Sequence, residues 1–543
     1  MKKPKISFLL IILVILSFIP LFDLLHVGLP VTHDGQDHVA RIANFYKNLT
    51  DGNIIPRWAP DLNWGYGHPI LMFLYPLPSY FASFFHFAGF NLVDSIKIVF
   101  GFSFVLSGLT MFIFIKELLR SEKSAFLGSL LYIIAPYRFV DLYVRGAIGE
   151  HVAFVFLPLI LYFILKTSKQ SKFPYIIGGS FSLAGLILSH NAMTLMLFPI
   201  IIFYGVFLFF QSKNHNSYIL NLASIILLGF GLSSFFIVPA FFEGKYTLRD
   251  IVTGGGEYKT SFVPIKDFFF GQWDYGGTLT LSKQVGFLHW VGTLGSIFSI
   301  YILHKKKKKL WIVGLMSFVI FWVTLFLMTS GSNFIWASVT LLQKFQFPWR
   351  FLSLTVFLSA LLGAVAFNGF PDKFKKILLI TSVLILLVVN KDYWHANGFL
   401  NKSESFYSGI YEGTTDTGES APIWSVRFME KKPNENVDVI LGKAEIKEIK
   451  RTSTQHIYNI EANEKVRIRE NTLYFPGWNV LVDGKKTEIE FQDQKNRGLI
   501  TFYLENGEHL VNVKFEETKL RLFSDIASIV SLLMIVFLSI IKK

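Results

Sequence analysis

Long apolar segments recur along this chain far too often for a water-soluble fold. A bilayer span needs roughly 20 mostly apolar residues. Stretches of that kind cover 7–25, 95–115, 176–188, 192–210, 219–241, 287–303, 310–328, 351–367, 377–389 and 526–541. Two more flank the segment around Asp141. Charged residues make up 17% of the chain, against about 25% in an ordinary soluble domain. The expected fold is therefore a polytopic α-helical membrane protein with about 12 transmembrane helices.

Lys and Arg set the orientation, because cytoplasmic loops carry an excess of them. Lys2, Lys3 and Lys5 precede the first span; Lys116, Arg120 and Lys123 follow the second. Lys166, Lys169 and Lys172, the run Lys305 to Lys309, then Lys373, Lys375, Lys376, Lys542 and Lys543 continue the pattern. All fall on one side only if 70–90, which holds Pro76, Pro78 and His86, lies at the outer interface instead of crossing. Both termini are then expected in the cytoplasm. The net charge of +14 is accounted for by these clusters facing anionic lipid, with no nucleic acid needed. With no Cys, disulfides and thiol chemistry are excluded. The first apolar stretch lacks a small-residue cleavage site and reads as an anchor. The sequons Asn48-Leu49-Thr50 and Asn401-Lys402-Ser403 read as chance occurrences.

This topology divides the chain into a transmembrane module at 1–390, an extracytoplasmic domain at 391–521 and a C-terminal anchor at 522–543. Outer loops are expected at 26–94, 136–150, 243–284 and 330–349. The third contains Gly254-Gly255-Gly256 and Gly276-Gly277. The extracytoplasmic domain alternates apolar and polar residues over 437–441, 456–461, 478–482, 499–504 and 509–515, so it reads as all-β. Asp483-Gly484 and Asn506-Gly507 are hairpin-turn dipeptides, and a small antiparallel sandwich is expected. No nucleophile or carboxylate pair stands out in it, which favours a binding or structural cap.

Polar chemistry concentrates in the outer loops. His33-Asp34-Gly35-Gln36-Asp37-His38 opens an amphipathic helix with Val39, Ile42, Ala43, Tyr46 and Leu49 on one side. Asp37, Arg41, Asn44 and Asn48 fall on the other, which would point Asp37 and Arg41 into a lumen. Asp34 can simply cap that helix. Asp37 has no such task, and a carboxylate beside a bilayer is costly unless used. The second loop gathers Arg138, Asp141, Arg145, Glu150 and His151 between apolar helices, where a salt-bridged cap is the alternative to function. His190 ends another span, and a hydrogen-bonded structural histidine is as good a reading there. In Phe347-Pro348-Trp349-Arg350 the arginine suits a phosphate, or equally an interfacial belt with a snorkelling Arg.

These residues carry a resemblance. The run from Asp37 to Pro56, with Gly52 between, is similar to the first outer loop of GT-C multi-pass glycosyltransferases, which use polyprenyl-phosphate sugars. Glu150 with His151-Val152-Ala153-Phe154 resembles their second-loop acid. A closer likeness is to bacterial membrane proteins described as 6-pyruvoyl-tetrahydropterin-synthase-related, and to YfhO-type proteins, although no pterin chemistry is visible. It rests on 37–69, 143–158, 189–191 and 347–351; Tyr474-Phe475-Pro476-Gly477-Trp478 with Val482-Asp483-Gly484-Lys485 resembles the YfhO outer domain.

The resemblance implies inverting transfer of a sugar from a polyprenyl-phosphate donor to an extracytoplasmic acceptor: a cell-envelope glycan, polymer, lipid or protein. Asp37 would be the base and Glu150 would orient the acceptor or Arg145. Arg145, Arg350 and more weakly Arg41 would face the lipid phosphate, with His190, Asp34 and His38 beside the substrate. No Asp-x-Asp pair occurs in these outer loops, so neither metal nor cofactor is expected. A bacterial cell membrane is the expected setting. The competing readings are a transporter of a lipid-linked glycan and a non-enzymatic scaffold for envelope assembly.

Overall fold

A computed structural model describes residues 7–253, 256–275 and 281–541. Lys2, Lys3, Lys5, Lys542, Lys543, Gly254-Gly255 and Gly276-Gly277 lie outside the described residues. Nine helices within them are long and apolar enough to cross a membrane. A bent pair, Glu122–Ile133 and Pro136–Arg145, adds a tenth with a 47° break. The other two expected spans are also helical. Phe173–Ser189 has 17 residues, and Asp372–Asn390 opens on Asp372, Lys373, Lys375 and Lys376. The protein is thus mostly helical with a C-terminal all-β domain. Residues 70–90 hold two short helices, Pro69–Met72 and Leu77–Phe87. The longer rises about 16 Å, half a hydrocarbon core of about 30 Å.

Local chemistry fixes where the helices begin. The free amides of a first turn need acceptors. Asn91, Ser121 and Asn214 supply them, taking the amides of Asp94, Ser124 and Ser217 at 2.7, 3.3 and 3.0 Å. Small residues then let helices approach: a Cβ built on Gly292 would lie 2.7 Å from the Cα of Gly363. Pro348–Gly369, which carries Gly363, is the central helix, with 94% of its apolar window buried. Lys519–Ile541 is peripheral at 11%. Its N-terminal end is tied down by ions. Arg57 bonds Glu517 and Asp525, each at 2.7 Å, and Arg521 bonds Glu243 at 2.8 Å.

Strand β1 (Leu29–Pro30) pairs with β2 (Phe399–Leu400), joining the first loop to the segment after Asn390. The remaining strands are β3 (Val437–Leu441), β4 (Ala444–Arg451), β5 (Gln455–Ala462), β6 (Val466–Leu473), β7 (Trp478–Val482), β8 (Lys485–Thr487), β9 (Leu499–Leu504) and β10 (Gly507–Phe515). They form two antiparallel sheets, β4-β5-β10-β7-β8 and β3-β6-β9. Asp483 and Gly484, at φ 51° and 78°, make the expected tight turn between β7 and β8. Asn506-Gly507 does not make a hairpin. Gly507 alone has positive φ there, and β9 and β10 belong to different sheets, so the chain crosses the sandwich at that point. Residues 391–436 form no sandwich strand. They run over the first loop, where Tyr411 N donates to Asp61 O at 2.8 Å and Asn63 N to Gly413 O at 2.8 Å.

Glu470 on β6 faces the other sheet and is fully buried. Burial alone would raise its pKa, but His456, Arg451 and the Tyr458 hydroxyl outweigh this and hold it at about 2. Arg451 Nη2 and Tyr458 Oη donate to it at 2.7 and 2.6 Å. The depressed folded value gives stability that is complete above the ordinary carboxylate pKa and lost as pH falls toward 2. It corresponds to about 3 kcal/mol. Acid unfolding of the β domain followed by tryptophan fluorescence is expected to show this loss, and Glu470→Gln to flatten it.

Candidate functional site

The helix Gly35–Thr50 carries the first group of candidates. Asp34 precedes it, but its side chain makes no capping hydrogen bond, contrary to the expected box. Instead the backbone fastens this corner to the second loop. His33 N donates to Val144 O at 3.0 Å and Asp34 N to Arg145 O at 2.9 Å. Gly146, at φ 68°, permits the approach; a Cβ there would strike Thr32.

The polar face of this helix does not open into a lumen. Arg41, Asn44 and Asn48 are buried: Thr415 lies against Arg41, while Asp61 N donates to Asn44 Oδ1 at 2.9 Å and Asn48 Nδ2 donates to the Trp58 carbonyl at 2.8 Å. Arg41 Nε donates to Thr415 Oγ1 at 3.2 Å, Nη2 to the Thr415 carbonyl, and Nη1 meets His38 Nδ1 at 3.0 Å. Thr415 holds a positive φ of 63°, unusual for a β-branched residue. Asp37 is half-buried, and its Oδ1 accepts the Tyr411 hydroxyl at 2.8 Å. Burial raises the Asp37 carboxyl above the usual carboxylate range; Tyr411 and Arg41 pull it back, while Asp34 and Asp416 push the same way as burial. The result is a more basic carboxylate. Burial, Arg41 and Arg145 keep the His38 imidazole neutral.

The second group sits on the π-helical turn Val140–Arg145 and the start of Ile148–Lys169. Arg145 Nη1 donates to Asp141 Oδ1 at 2.6 Å and to Glu150 Oε2 at 2.7 Å. The Tyr137 hydroxyl donates to Glu150 Oε1 at 2.8 Å, and the guanidinium lies 4.9 Å from the Trp349 ring centre. These acids are therefore not a solvated loop cap, since both carboxylates are buried. Arg138, also buried, is surrounded by Phe104, Tyr132 and Phe154.

Two further residues complete the ring. His190 Nδ1 accepts Met193 N at 3.1 Å, capping Asn191–Phe209, and its imidazole lies 5.0 Å from Tyr75. Arg350 donates to Phe345 O at 3.1 Å, its Nε has no partner among the described residues, and it lies in the fields of Arg145 and Glu150. His38, in turn, feels Arg145 and His190. Asp34, Asp37, His38, Arg41, Arg145, Glu150, His190 and Arg350 thus gather from four separated segments. Tyr75, Tyr137, Tyr411 and Thr415 belong to the same assembly without having been singled out in the sequence, and Asp141, noted there only as part of the charged second loop, joins them. Tyr137 and Asp141 stood inside the charged second loop, a usable signal; Tyr411 had none. Among the described residues no three His, Asp or Glu side chains gather in a way that could hold a metal ion.

The Tyr411 bond lowers the Asp37 pKa, so Tyr411→Phe raises it further. A base must be ionised to work. Were Asp37 to serve as a catalytic base, the acid limb of a pH–rate profile should move to higher pH in Tyr411→Phe, and an unmoved limb would exclude that role.

Comparison with known proteins gives three findings. The family described as "6-pyruvoyl-tetrahydropterin synthase related domain; membrane protein" matches residues 71–396, more than half the chain. An uncharacterised protein of Lactococcus lactis subsp. cremoris (strain MG1363) is 28% identical over 249 residues, covering 44% of this chain and only 40% of that relative. Among solved structures, the apo oligosaccharyltransferase of Archaeoglobus fulgidus is similar at a TM-score of 0.48 and 13% identity, over 76% of this chain and 60% of that one. The mycobacterial arabinofuranosyltransferase AftD is similar at 0.45 and 14% identity, over 71% of this chain and 26% of its own.

Proposed function

We propose, from the premise that this chain belongs to the membrane family with a 6-pyruvoyl-tetrahydropterin synthase related domain, that it is a GT-C-type glycosyltransferase. It moves a sugar from a polyprenyl-phosphate donor to an acceptor outside a bacterial cell membrane, with inversion, and with both termini in the cytoplasm. What supports this reading is a more basic carboxylate, Asp37, whose neighbour His38 lies in the field of Arg145, itself in the field of Arg350. The acceptor hydroxyl gives its proton to Asp37 as its oxygen bonds the anomeric carbon. The bond to the polyprenyl phosphate breaks, and the phosphate leaves with the electron pair. It needs no proton but gains from fixed positive charge.

Arg145 and Arg350 are assigned to that phosphate. Arg350 is the freer, since Arg145 is already committed to Asp141 and Glu150. Glu150 therefore positions Arg145. Arg41 is committed to His38 and Thr415, so with His38 it supports the Asp37 helix. Asp34 is exposed and His190 is buried beside Tyr75, and no metal or cofactor is assigned. The test is radiolabelled sugar transfer from a panel of polyprenyl-phosphate sugars, comparing membranes with and without the protein. A protein-dependent product supports the reading; no product from any donor with envelope acceptors present counts against it.

A transporter of lipid-linked glycan is the second reading, favoured by the 47° break at the helix bearing Asp141 and Arg145. Broken helices and intramembrane charge are transporter features. Translocation of lipid-linked glycan by proteoliposomes without chemical change would select it.

A further inference from the structure

A narrow apolar groove lies between the helices Asn191–Phe209 and Leu310–Met328. Tyr204 and Phe207 line it from the first, Val313 and Ile320 from the second, and Leu361 from the buried central helix. Tyr204 stands about 20 Å along its helix from His190, so the groove is remote from the ring just described. We infer that the groove and the lysines at its end form one site for an anionic phospholipid, with one acyl chain along the groove and the phosphate among the lysines.

Size and depth select a lipid chain. The enclosed part holds only about 40 Å³, against ~300–1,000 Å³ for small-molecule pockets. Among the described residues no charged side chain lines it. Such a space has no room for a compact polar ligand, whereas hydrocarbon lying along an open-sided groove fits. Val313 and Ile320 lie about 6 and 16 Å along the helix axis from Lys309. That is the half of a ~30 Å hydrocarbon core nearest the lysines. Tyr204 and Phe207 occupy the last two turns of their helix, which Lys213 follows.

The pairing of the lysines supplies the independent observation. The helices Leu92–Leu119 and Ile148–Lys169 each add one residue to the groove, and the lysines near their ends are neutralised. Lys116 pairs with Glu122, and Lys166 and Lys169 pair with Glu117 at 3.4 and 2.7 Å. The lysines beside the two main walls are different. Lys213 and Lys306 to Lys309 are exposed and make no side-chain hydrogen bond or ion pair among the described residues. An unmatched cationic cluster at the end of an apolar groove complements an anionic headgroup carrying a hydrocarbon chain. The lysine excess assigns that end to the cytoplasmic leaflet, where anionic lipids are found.

The test is native mass spectrometry of the full chain in detergent, titrated separately with phosphatidylglycerol, phosphatidylcholine and undecaprenyl phosphate, the first two with the same acyl chains. Phosphatidylglycerol should bind about 30-fold more tightly than phosphatidylcholine, the worth of two lysines near an anionic headgroup. Lys308→Gln with Lys309→Gln should remove most of this preference. Both side chains are exposed, and Lys305 to Lys307 remain to hold the orientation of the turn, so the loss reports the lipid rather than folding. Ile320→Trp, which fills the groove and keeps every lysine, should also weaken phosphatidylglycerol binding. Lys169→Gln, which removes an already paired lysine at the same end, should leave it unchanged. None of these readouts involves sugar transfer. Equal binding of the two phospholipids (bulk lipid only), undiminished binding in the double variant or in Ile320→Trp, an equal loss in Lys169→Gln, or tighter binding of undecaprenyl phosphate would each overturn the inference.

Discussion

On the transferase reading, Asp37→Asn is expected to lower sugar transfer by about 10²–10⁴-fold, the range for loss of a general base, while the protein still accumulates in the membrane at the wild-type level. Both halves of this expectation come from the same geometry. The Asn carbonyl can still accept the Tyr411 hydroxyl that Asp37 Oδ1 accepts at 2.8 Å, so the segment over the site stays in place. Asp37 also makes no ion pair whose loss would strand a charge. Arg41, the nearest cation on its helix, is held by His38 and by both oxygens of Thr415. What the amide lacks is basicity. Radiolabel incorporation normalised to protein, together with a size-exclusion profile in detergent, reads the two halves separately. Wild-type transfer in this variant would end the assignment of Asp37.

The helices were legible because a run of about 20 apolar residues, repeated many times in one chain, can be buried only in a bilayer. Strands β3, β5, β7, β9 and β10 were legible as short apolar-rich runs, several of them close to turn dipeptides. Strands β4 and β6 were not. Sequence AEIKEIKR belongs to an exposed edge strand, and VRIRENTL hides a buried glutamate whose partners, Arg451, His456 and Tyr458, lie elsewhere in the chain. The site divides in the same way. Asp37, Arg145 and Glu150 announce themselves as charges next to apolar runs. Their mutual geometry depends on the backbone bonds of 33–34 to 144–145, which no local pattern encodes. Tyr411 lies 374 residues from the carboxylate it bonds. The expected lumen over Arg41 failed for the same reason: an amphipathic helix shows that a polar face needs partners, but not whether water or a distant segment supplies them.

Arg145→Met should be the most destabilising single change in the helical module. Removing the guanidinium leaves Asp141 and Glu150, whose side chains are 0% and 1% exposed, without the cation that both hydrogen-bond. Breaking a buried ion pair from one side costs about 3–5 kcal/mol. The loss should appear as a large drop in thermal midpoint and in the monodisperse fraction in detergent. Neutralising the stranded acids tests the cause. Combining Arg145→Met with Asp141→Asn and Glu150→Gln removes the uncompensated charge, and most of the lost stability should return. Asp141→Asn alone should be mild, because Asp141 Oδ2 lacks a partner among the described residues and Arg145 keeps Glu150. If the triple variant is as unstable as Arg145→Met, packing of Arg145 against Trp349 is what the fold requires, and charge compensation is not. If the triple variant folds, it becomes the cleaner functional probe. A folded protein without Arg145 that still transfers sugar leaves Arg350 as the phosphate contact, whereas one that folds and fails assigns that role to the arginine the acids were holding in place.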